Sequence, residues 1–170
     1  MQNKRGQFYL IATIIIIVAI MGIGVTSNYA KKKNPVKLYD LREELGIESS
    51  NVLSFGVYRE EDLDMLLENF IQDYVDYAGE GRDLYFIFGD EAEITAAAYQ
   101  DLSSEEVRIK IGTNEPTTLT SGEPQVFLTS GPKVAIIVGE EEYSFNLRTG
   151  ENFYFVIMQE IEGEKYVITS

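Results

Sequence analysis

The sequence predicts an α+β protein, with an N-terminal transmembrane helix followed by an antiparallel β-sheet domain on which one main amphipathic helix packs. Three observations predict this class. Residues 8–25 contain no charged side chain. Apolar residues recur at helical spacing over residues 60–78, and short strand-like segments separated by turn residues fill the chain after Asp83.

The uncharged run from Phe8 to Val25 is long enough to cross a membrane. Its 18 residues read FYLIATIIIIVAIMGIGV, and only Thr13 among them is polar. At about 1.5 Å per helical residue the run spans roughly 27 Å, close to the thickness of a hydrocarbon core. The alternatives are a buried helix, a cleaved secretory signal and an uncleaved single-pass anchor. Basic residues flank the run on both sides, so charge alone does not orient it. These flanking residues are Lys4, Arg5, Lys31, Lys32 and Lys33.

The residues before this run resemble a known processing signal. Lys4, Arg5, Gly6 and Gln7 stand directly before the Ile-rich helix, and this arrangement resembles the class III signal peptide of archaeal type IV pilin-like proteins. The resemblance implies cleavage between Gly6 and Gln7, with Lys4 and Arg5 in the cytoplasm and the following domain outside. It also implies that the helix first anchors the subunit and then packs against other pilin-like subunits in a filament.

The resemblance covers roughly the first 30 residues of the chain. The family often has Ser two residues after the Gln and Glu two residues further on, where this sequence has Tyr9 and Ile11. That Glu commonly aids subunit registry during assembly. Its absence therefore bears on filament formation more than on membrane attachment.

Charge is divided unequally along the chain. Residues 1–33 carry five basic and no acidic residues. They comprise the basic leader (1–6) and the apolar helix with its stalk (7–33). Residues 34–170 form an acidic domain with nine basic and 28 acidic residues. Nucleic-acid binding is disfavoured, because phosphates need a basic surface. The chain has no His and no Cys, which excludes Ser-His and Cys-His pairs, disulfides and the commonest metal ligand. We expect the lipid bilayer as a partner, and no cofactor.

Three short segments are predicted between the apolar run and the main helix. Residues 26–36 form a stalk next to the membrane. Residues 37–45 form a short helix, and Gly46 suits the position just past its end. One face of that helix carries three leucines, Leu38, Leu41 and Leu45. Residues 51–58 (NVLSFGVY) are predicted as a strand.

A longer amphipathic helix is predicted over residues 60–78. Its apolar positions follow the helical repeat and form one stripe: Leu63, Leu66, Leu67, Phe70, Ile71, Tyr74, Tyr77 and Ala78. Acidic residues at 60–62 suit its first turn, and Gly79 and Gly81 can end it. Such a stripe indicates a buried face.

The remainder of the domain is predicted as strands. Leu84–Phe88 is apolar throughout, which favours a central strand covered on both faces, and Val107–Ile111 alternates. Ile94–Tyr99 is a weaker strand, and residues 113–132 form a long surface excursion in which Gln125–Leu128 pairs briefly. Four strands with short turns then suggest an antiparallel meander. These are Val134–Val138, Tyr143–Leu147, Phe153–Met158 and Lys165–Thr169.

Carboxylates are the only abundant reactive groups, and their spacing matches no catalytic or metal-binding motif. The densest groups are Glu140–Glu142 and the cluster of Asp90, Glu91 and Glu93. Neither has the spacing of a calcium-binding EF-hand loop, and we expect Glu140–Glu142 to form a solvated hairpin end. Gly79-Glu80-Gly81 lacks the third glycine of a dinucleotide-binding loop.

These observations predict a membrane-anchored, non-enzymatic archaeal surface protein with its C-terminal domain outside the cell. A type IV pilin-like filament subunit is the leading form of this hypothesis. The alternative is a monomeric single-pass protein whose outer domain binds another protein or a ligand. A third interpretation, a small anchored hydrolase, requires an enclosed cleft with two convergent carboxylates.

Overall fold

Two helices precede nine strands in the computed structural model, which describes residues 35–170. The predicted leader, apolar helix and lysine flank at residues 1–33 lie outside the described residues. The helices are α1 (Pro35–Arg59) and α2 (Leu63–Ala78). The strands are β1 (Asp83–Gly89), β2 (Glu93–Tyr99), β3 (Val107–Ile111), β4 (Thr117–Thr118), β5 (Gln125–Leu128), β6 (Lys133–Val138), β7 (Glu141–Asn146), β8 (Asn152–Ile161) and β9 (Glu164–Thr169).

The strands form two antiparallel sheets, and the helices cover one of them. A five-stranded sheet has the order β5-β2-β1-β8-β9, and a four-stranded sheet has the order β4-β3-β6-β7. One core lies between the two sheets, and a second lies between the five-stranded sheet and the helices. The α+β class with antiparallel pairing is therefore confirmed. The prediction of a single sheet with one main helix is wrong, because the domain has three layers.

Strand β1 lies at the centre of these layers and is buried on both faces, as its continuous apolar sequence predicted. Tyr85 and Ile87 face the core between the sheets. Leu84, Phe86 and Phe88 face the helices. The period of two along a strand sends alternate side chains to opposite faces, so a strand between two cores must be apolar at every position.

The amphipathic helix predicted over residues 60–78 is confirmed as α2. Its buried residues all belong to the predicted stripe, namely Leu67, Ile71, Tyr74 and Ala78. The helix begins at Leu63 because Asp62 caps it, with a carboxylate oxygen that accepts a hydrogen bond from the Met65 backbone N–H at 3.1 Å. Gly79, with φ 70°, ends it.

The prediction for residues 37–58 is correct at its start and wrong beyond Leu45. The three leucines are buried against the sheet, but α1 continues through Gly46 to Arg59, and the predicted strand at 51–58 is its last two turns. The helix ends instead at Glu60, which has φ 55°. The N–H of Glu60 donates to Val57 C=O at 3.4 Å and that of Glu61 to Gly56 C=O at 3.1 Å. This is a Schellman end with Glu where Gly is usual.

The predicted meander is wrong at one connection. Its four strands exist, but β6 and β7 form a hairpin in the four-stranded sheet, whereas β8 and β9 form a hairpin in the other sheet. The chain crosses between the sheets over residues 147–151. Asn152 fixes this crossing, since its buried amide donates to Gly89, Arg148 and Gly150 carbonyls and accepts from the Arg148 N–H at 2.8 Å.

The predicted excursion at residues 113–132 contains two edge strands. Gln125–Leu128 pairs with β2 within the bounds predicted from sequence, and the two-residue strand β4 pairs with β3. Leu119 is buried in the core between the sheets and anchors this stretch. The segment is thus a surface element that is tied to both sheets.

Candidate functional site

The residues to which the sequence assigned processing and membrane contact lie outside residues 35–170. Gly6 and Gln7 are the predicted cleavage pair, and the predicted flanks are Lys4, Arg5, Lys31, Lys32 and Lys33. Their roles remain predictions. Within the described residues, the search for a site therefore concerns the acidic domain.

The two predicted acidic clusters are structural. Glu140 and Glu141 are exposed at the turn between β6 and β7, as expected of a hairpin end. Glu142 lies 3.8 Å from Lys110 Nζ. At the β1–β2 turn, the Asp90 carboxylate accepts backbone N–H bonds from Ala92 at 2.7 Å and Glu93 at 2.9 Å. These two bonds lower the pKa of Asp90.

A carboxylate cluster that the sequence did not predict surrounds the start of α2. It brings Asp64 near Asp62, Asp90 and Glu151. Partial burial, followed by the charges of Asp62 and Asp90, raises the pKa of Asp64. Partial burial, followed by the charges of Asp64 and Asp90, raises the pKa of Glu151. No sequence signal links these residues, because they come from three separate segments that only the fold brings together.

This cluster is not arranged as a metal site. In the part of the chain that the structure describes, no group of three or more acidic side chains could hold a metal ion. Asp62 and Asp90 already accept backbone N–H groups. The larger cavities of residues 35–170 are lined by other residues. Within the cluster, Asp64 and Glu151 hold their protons to higher pH than isolated carboxyls, because their pKa values are raised.

A cavity in the described part of the chain lies where the end of α2 approaches β2. It has a volume of about 430 Å³ and is lined by Val75, Asp76, Gly79, Glu80, Arg82, Leu84, Tyr99, Gln100, Asp101, Ser121 and Gly122. Arg82 donates from its guanidinium to the Ala78 carbonyl, and Asp101 accepts the Gly81 N–H. Arg82 and Asp101 thus hold the chain as it leaves α2.

A buried carboxylate organises the loop that follows β2. Asp83 is 1% exposed, and its side chain accepts N–H bonds from Asp101 and Leu102 at 2.8 Å each, and from Ser103 at 3.2 Å. Burial, followed by the charge of Asp83, raises the pKa of the Tyr85 hydroxyl. Asp83 is the first residue of a strand that the sequence predicted to begin one residue later.

A groove between the two helices combines aromatic and acidic side chains. Its volume is about 310 Å³, and its lining consists of Glu44, Glu48, Phe70, Asp73, Tyr74 and Tyr77. The Tyr74 hydroxyl donates to the Leu41 carbonyl at 3.0 Å, and the Tyr77 hydroxyl donates to Glu44 Oε2 at 3.3 Å. Burial, followed by the charge of Glu44, raises the pKa of Tyr74.

The acids of this groove have no cationic partner among the described side chains, those of residues 38–170, where ion pairs join Lys110 to Glu142 and Lys165 to Glu105. Aromatic faces and carboxylates both attract cations, so the groove suits a cationic side chain or ligand. Its α2 half follows from the predicted stripe. Its α1 half was missed, because Glu48 lies beyond the end predicted for the first helix.

The outer strand β5 is a second surface suited to interaction. It lies at the edge of the five-stranded sheet and exposes Val126 and Leu128. Unpaired backbone groups along an edge strand can accept a further strand. The sequence predicted the strand, but its edge position depends on the sheet order.

Among residues 35–170, no helix combines the length and the apolar character needed to cross a membrane. The predicted span at residues 8–25 lies outside these residues and stays a prediction. We find no match to the chain among protein-family models, curated proteins or solved structures.

Proposed function

We propose that this chain is a membrane-anchored, non-enzymatic archaeal surface protein, with a type IV pilin-like filament subunit as its leading form. The single observation that carries the proposal is the arrangement of Lys4, Arg5, Gly6 and Gln7 directly before 18 uncharged residues. A helix of that length spans a bilayer. The leader implies that the anchor is processed and that the acidic domain lies outside.

The charge distribution supports this arrangement. Residues 34–170 carry 28 acidic and nine basic residues, and anionic headgroups repel such a domain. The lysines at 31–33 are the basic residues closest to the end of the apolar run. A domain of this charge stays away from the lipid surface. It is therefore free to contact neighbouring subunits or outside partners.

The chemistry of the acidic domain also supports a non-enzymatic role. Asp62, Asp83 and Asp90 each accept backbone N–H bonds at a helix start or turn. These three carboxylates thus stabilise local structure. A binding function requires only surfaces, and the interhelical groove and β5 supply them.

The leader is tested by the mass of the mature protein. The full chain is produced in an archaeal host that processes pilins, extracted from its membranes with detergent, and weighed intact. We expect a chain that begins at Gln7. A Gly6→Ile variant should retain Met1, whereas the matched variant Asn3→Ile should still be cut. A wild-type chain that retains Met1 would refute pilin-like processing, and recovery of that chain in the detergent-free aqueous fraction would refute the anchor.

The second candidate function is ligand or protein binding by a monomeric single-pass protein. The groove lined by Tyr74, Tyr77, Glu48 and Asp73 favours it, because its acids lack cationic partners among the side chains of residues 38–170. Negative-stain images of sheared cell surfaces separate the candidates, since only the first predicts filaments. Calorimetric titration with a lysine-rich peptide tests the groove. Glu48→Gln with Asp73→Asn should weaken binding, whereas Glu140→Gln with Glu141→Gln should not.

A further inference from the structure

Strand β5 differs from the other three edge strands of the described domain. Strand β4 has two residues, β7 carries Glu141 and Glu142, and β9 carries Glu164 and Lys165. Short length and charge are the usual protections against unwanted strand pairing. Strand β5 reads QVFL, and residues 124–132 contain no charged side chain. One edge of this very acidic domain is therefore unprotected.

The side chains of β5 fix the strand and present an apolar surface. Phe127 packs against the core between the sheets. Val126 and Leu128 point to the opposite face, where Val126 is 59% and Leu128 is 75% exposed. The strand is therefore anchored by one aromatic ring and offers two large apolar side chains to a partner.

The backbone of β5 is also held in place along its inner side. The strand pairs with β2 through four residues, from Gln125 opposite Ala96 to Leu128 opposite Glu93. The pairing extends one residue further, where the Thr129 N–H donates to the Ala92 carbonyl at 3.0 Å. A preformed strand loses little conformational freedom when a partner binds.

That last bond identifies the backbone groups that face outward. In an antiparallel pair, residues that exchange hydrogen bonds alternate with residues that do not. Because Thr129 bonds to β2, Phe127 and Gln125 bond to it as well. The N–H and C=O groups of Val126 and Leu128 therefore point away from the sheet. The same two residues supply the exposed side chains and the free hydrogen-bonding groups.

We infer that β5 pairs with β5 of a second copy of this chain, antiparallel and about a two-fold axis at Phe127. In this register Val126 of each copy lies opposite Leu128 of the other. All four outward groups of each strand then form hydrogen bonds, and the two apolar pairs cover each other. A shift by two residues in one direction would place Pro124 opposite Leu128, and Pro has no N–H to donate. A shift by two residues in the other direction would place Val126 opposite Ser130, which lies beyond the end of the strand. The edge is thus complementary to itself in one register.

Charge favours a second copy at this edge over other parts of the surface. Two acidic domains repel each other wherever their carboxylates face, but the paired stretch contains none. In the adjacent strand β2, the acid that shares this face is Glu93, opposite Leu128. Three strand spacings of about 4.8 Å would separate Glu93 from its equivalent, which exceeds the Debye length of about 8 Å at physiological salt. The resulting ten-stranded sheet would be continuous across both copies.

The pairing is expected between tethered copies. Four residues per strand bury less area than the roughly 1,200 Å² of a stable interface. Confinement to one membrane raises the effective concentration of the two domains and compensates for this small area. The inference in this respect depends on the membrane anchor of the proposed function.

Disulfide trapping in vesicles tests the inference, because the chain has no cysteine. Full chains with Val126→Cys and with Leu128→Cys carry different tags and are reconstituted together in phosphatidylcholine vesicles. Flotation first shows whether the chains are anchored. After mild oxidation, we expect the mixed disulfide between positions 126 and 128 to exceed either same-position disulfide several-fold. Opposite residues lie about 5.5 Å apart between Cα atoms, whereas same-position pairs lie about 9 Å apart, beyond the range of a disulfide.

The control is Tyr58→Cys, on α1, where the native side chain is 83% exposed. It should form few disulfides, because α1 does not take part in the pairing. Chains that fail to float would refute the anchor of the proposed function. Anchored chains with no excess of the mixed disulfide, or with equal trapping at position 58, would overturn the pairing alone.

Discussion

The two helices pack against the same face of the same sheet, yet only α2 has a sequence typical of its structure. Its buried residues follow one stripe from Leu67 to Ala78. Helix α1 is buried through Leu38, Leu41 and Leu45 at its start. Its last turns instead expose large apolar residues, among them Phe55, Val57 and Tyr58. In α1, therefore, apolar residues lie on both the buried and the exposed face.

This difference shows what holds each segment helical. An amphipathic stripe stabilises a helix through the surface that it buries. The end of α1 buries less apolar surface, through the half-buried Val52 and Leu53. It depends also on continuity with the packed turns before it and on the hydrogen bonds of its Schellman end at Glu60. Substitutions that remove side-chain atoms should therefore act strongly at the buried positions of α2 and weakly at the exposed positions in the last turns of α1.

The largest expected effect separates a buried residue of α2 from an exposed residue of α1. Leu67 is 0% exposed, and Leu67→Ala should lower the free energy of unfolding by about 2–5 kcal/mol through lost burial and a cavity. Tyr58 is 83% exposed, and Tyr58→Ala should change it by less than about 0.5 kcal/mol. Urea denaturation in detergent, followed by circular dichroism, measures both. Equal losses would show that the end of α1 is packed.

The contact between the helices is tested by two tyrosine hydroxyls. Tyr74→Phe removes a buried hydrogen bond of 3.0 Å to the Leu41 carbonyl. It should lower the free energy of unfolding by about 1 kcal/mol. Tyr77→Phe removes a bond of 3.3 Å to Glu44 at an exposed position and should cost a few tenths of that. The same denaturation experiment measures the difference. A larger loss for Tyr77→Phe would mean that the helices meet through the exposed side of α2.

Patterns within one segment predicted most of the fold. The stripe of α2 and the continuous apolar run of β1 each report which faces the segment buries. The alternation of apolar and polar residues in β3 also reports which face that strand buries. What could not be predicted depends on contacts between distant segments. The sheet change between β7 and β8 is fixed by Asn152, whose amide reaches Gly89, and no local pattern marks it.

The end of α1 was missed for a related reason. Gly46 matches the residue that usually follows a helix, but it lies inside α1, and the left-handed residue that ends the helix is Glu60. Composition does not reveal a Glu in that role. The interhelical groove was missed with it, since Glu48 belongs to the part of α1 that was not predicted. The acids around Asp64 come together only through the fold.

Two glycines test whether α1 is continuous. An added Cβ at Gly46 meets nothing within 4 Å, so Gly46→Ala should stabilise the protein by about 1 kcal/mol through helix propensity. At Gly56 an added Cβ would lie 2.3 Å from a methyl group of Leu63. Gly56→Ala should therefore not stabilise the protein, because this overlap offsets the gain in helix propensity. Stability measurements on both variants check this. If a helix ended at Gly46, Gly46→Ala would instead be destabilising, because Ala resists the left-handed conformation.

The smallest expected effect concerns the acids at the start of α2, which α1 lacks. Partial burial and neighbouring carboxylates raise the pKa values of Asp64 and Glu151. The folded state therefore binds more protons than the unfolded state where these groups titrate. Their contribution to stability is fully present below the ordinary carboxyl pKa values of 3.8 and 4.5 and is lost as pH rises through the raised ones. The lowered pKa of Asp90 has the opposite effect: its contribution to stability is present above the ordinary value of 3.8 and is lost as pH falls through the lowered pKa.

Asp64→Asn should accordingly be more stable than the wild type above this pH range, by no more than about 0.5 kcal/mol because the site is mostly exposed and screened. The advantage should shrink as pH falls through the range, and it should shrink in high salt. Denaturation midpoints of both proteins across pH measure it. An advantage that persists unchanged at acidic pH would mean that Asn acts through the helix itself. In that case, charge repulsion among these carboxylates would not be what distinguishes the start of α2 from that of α1.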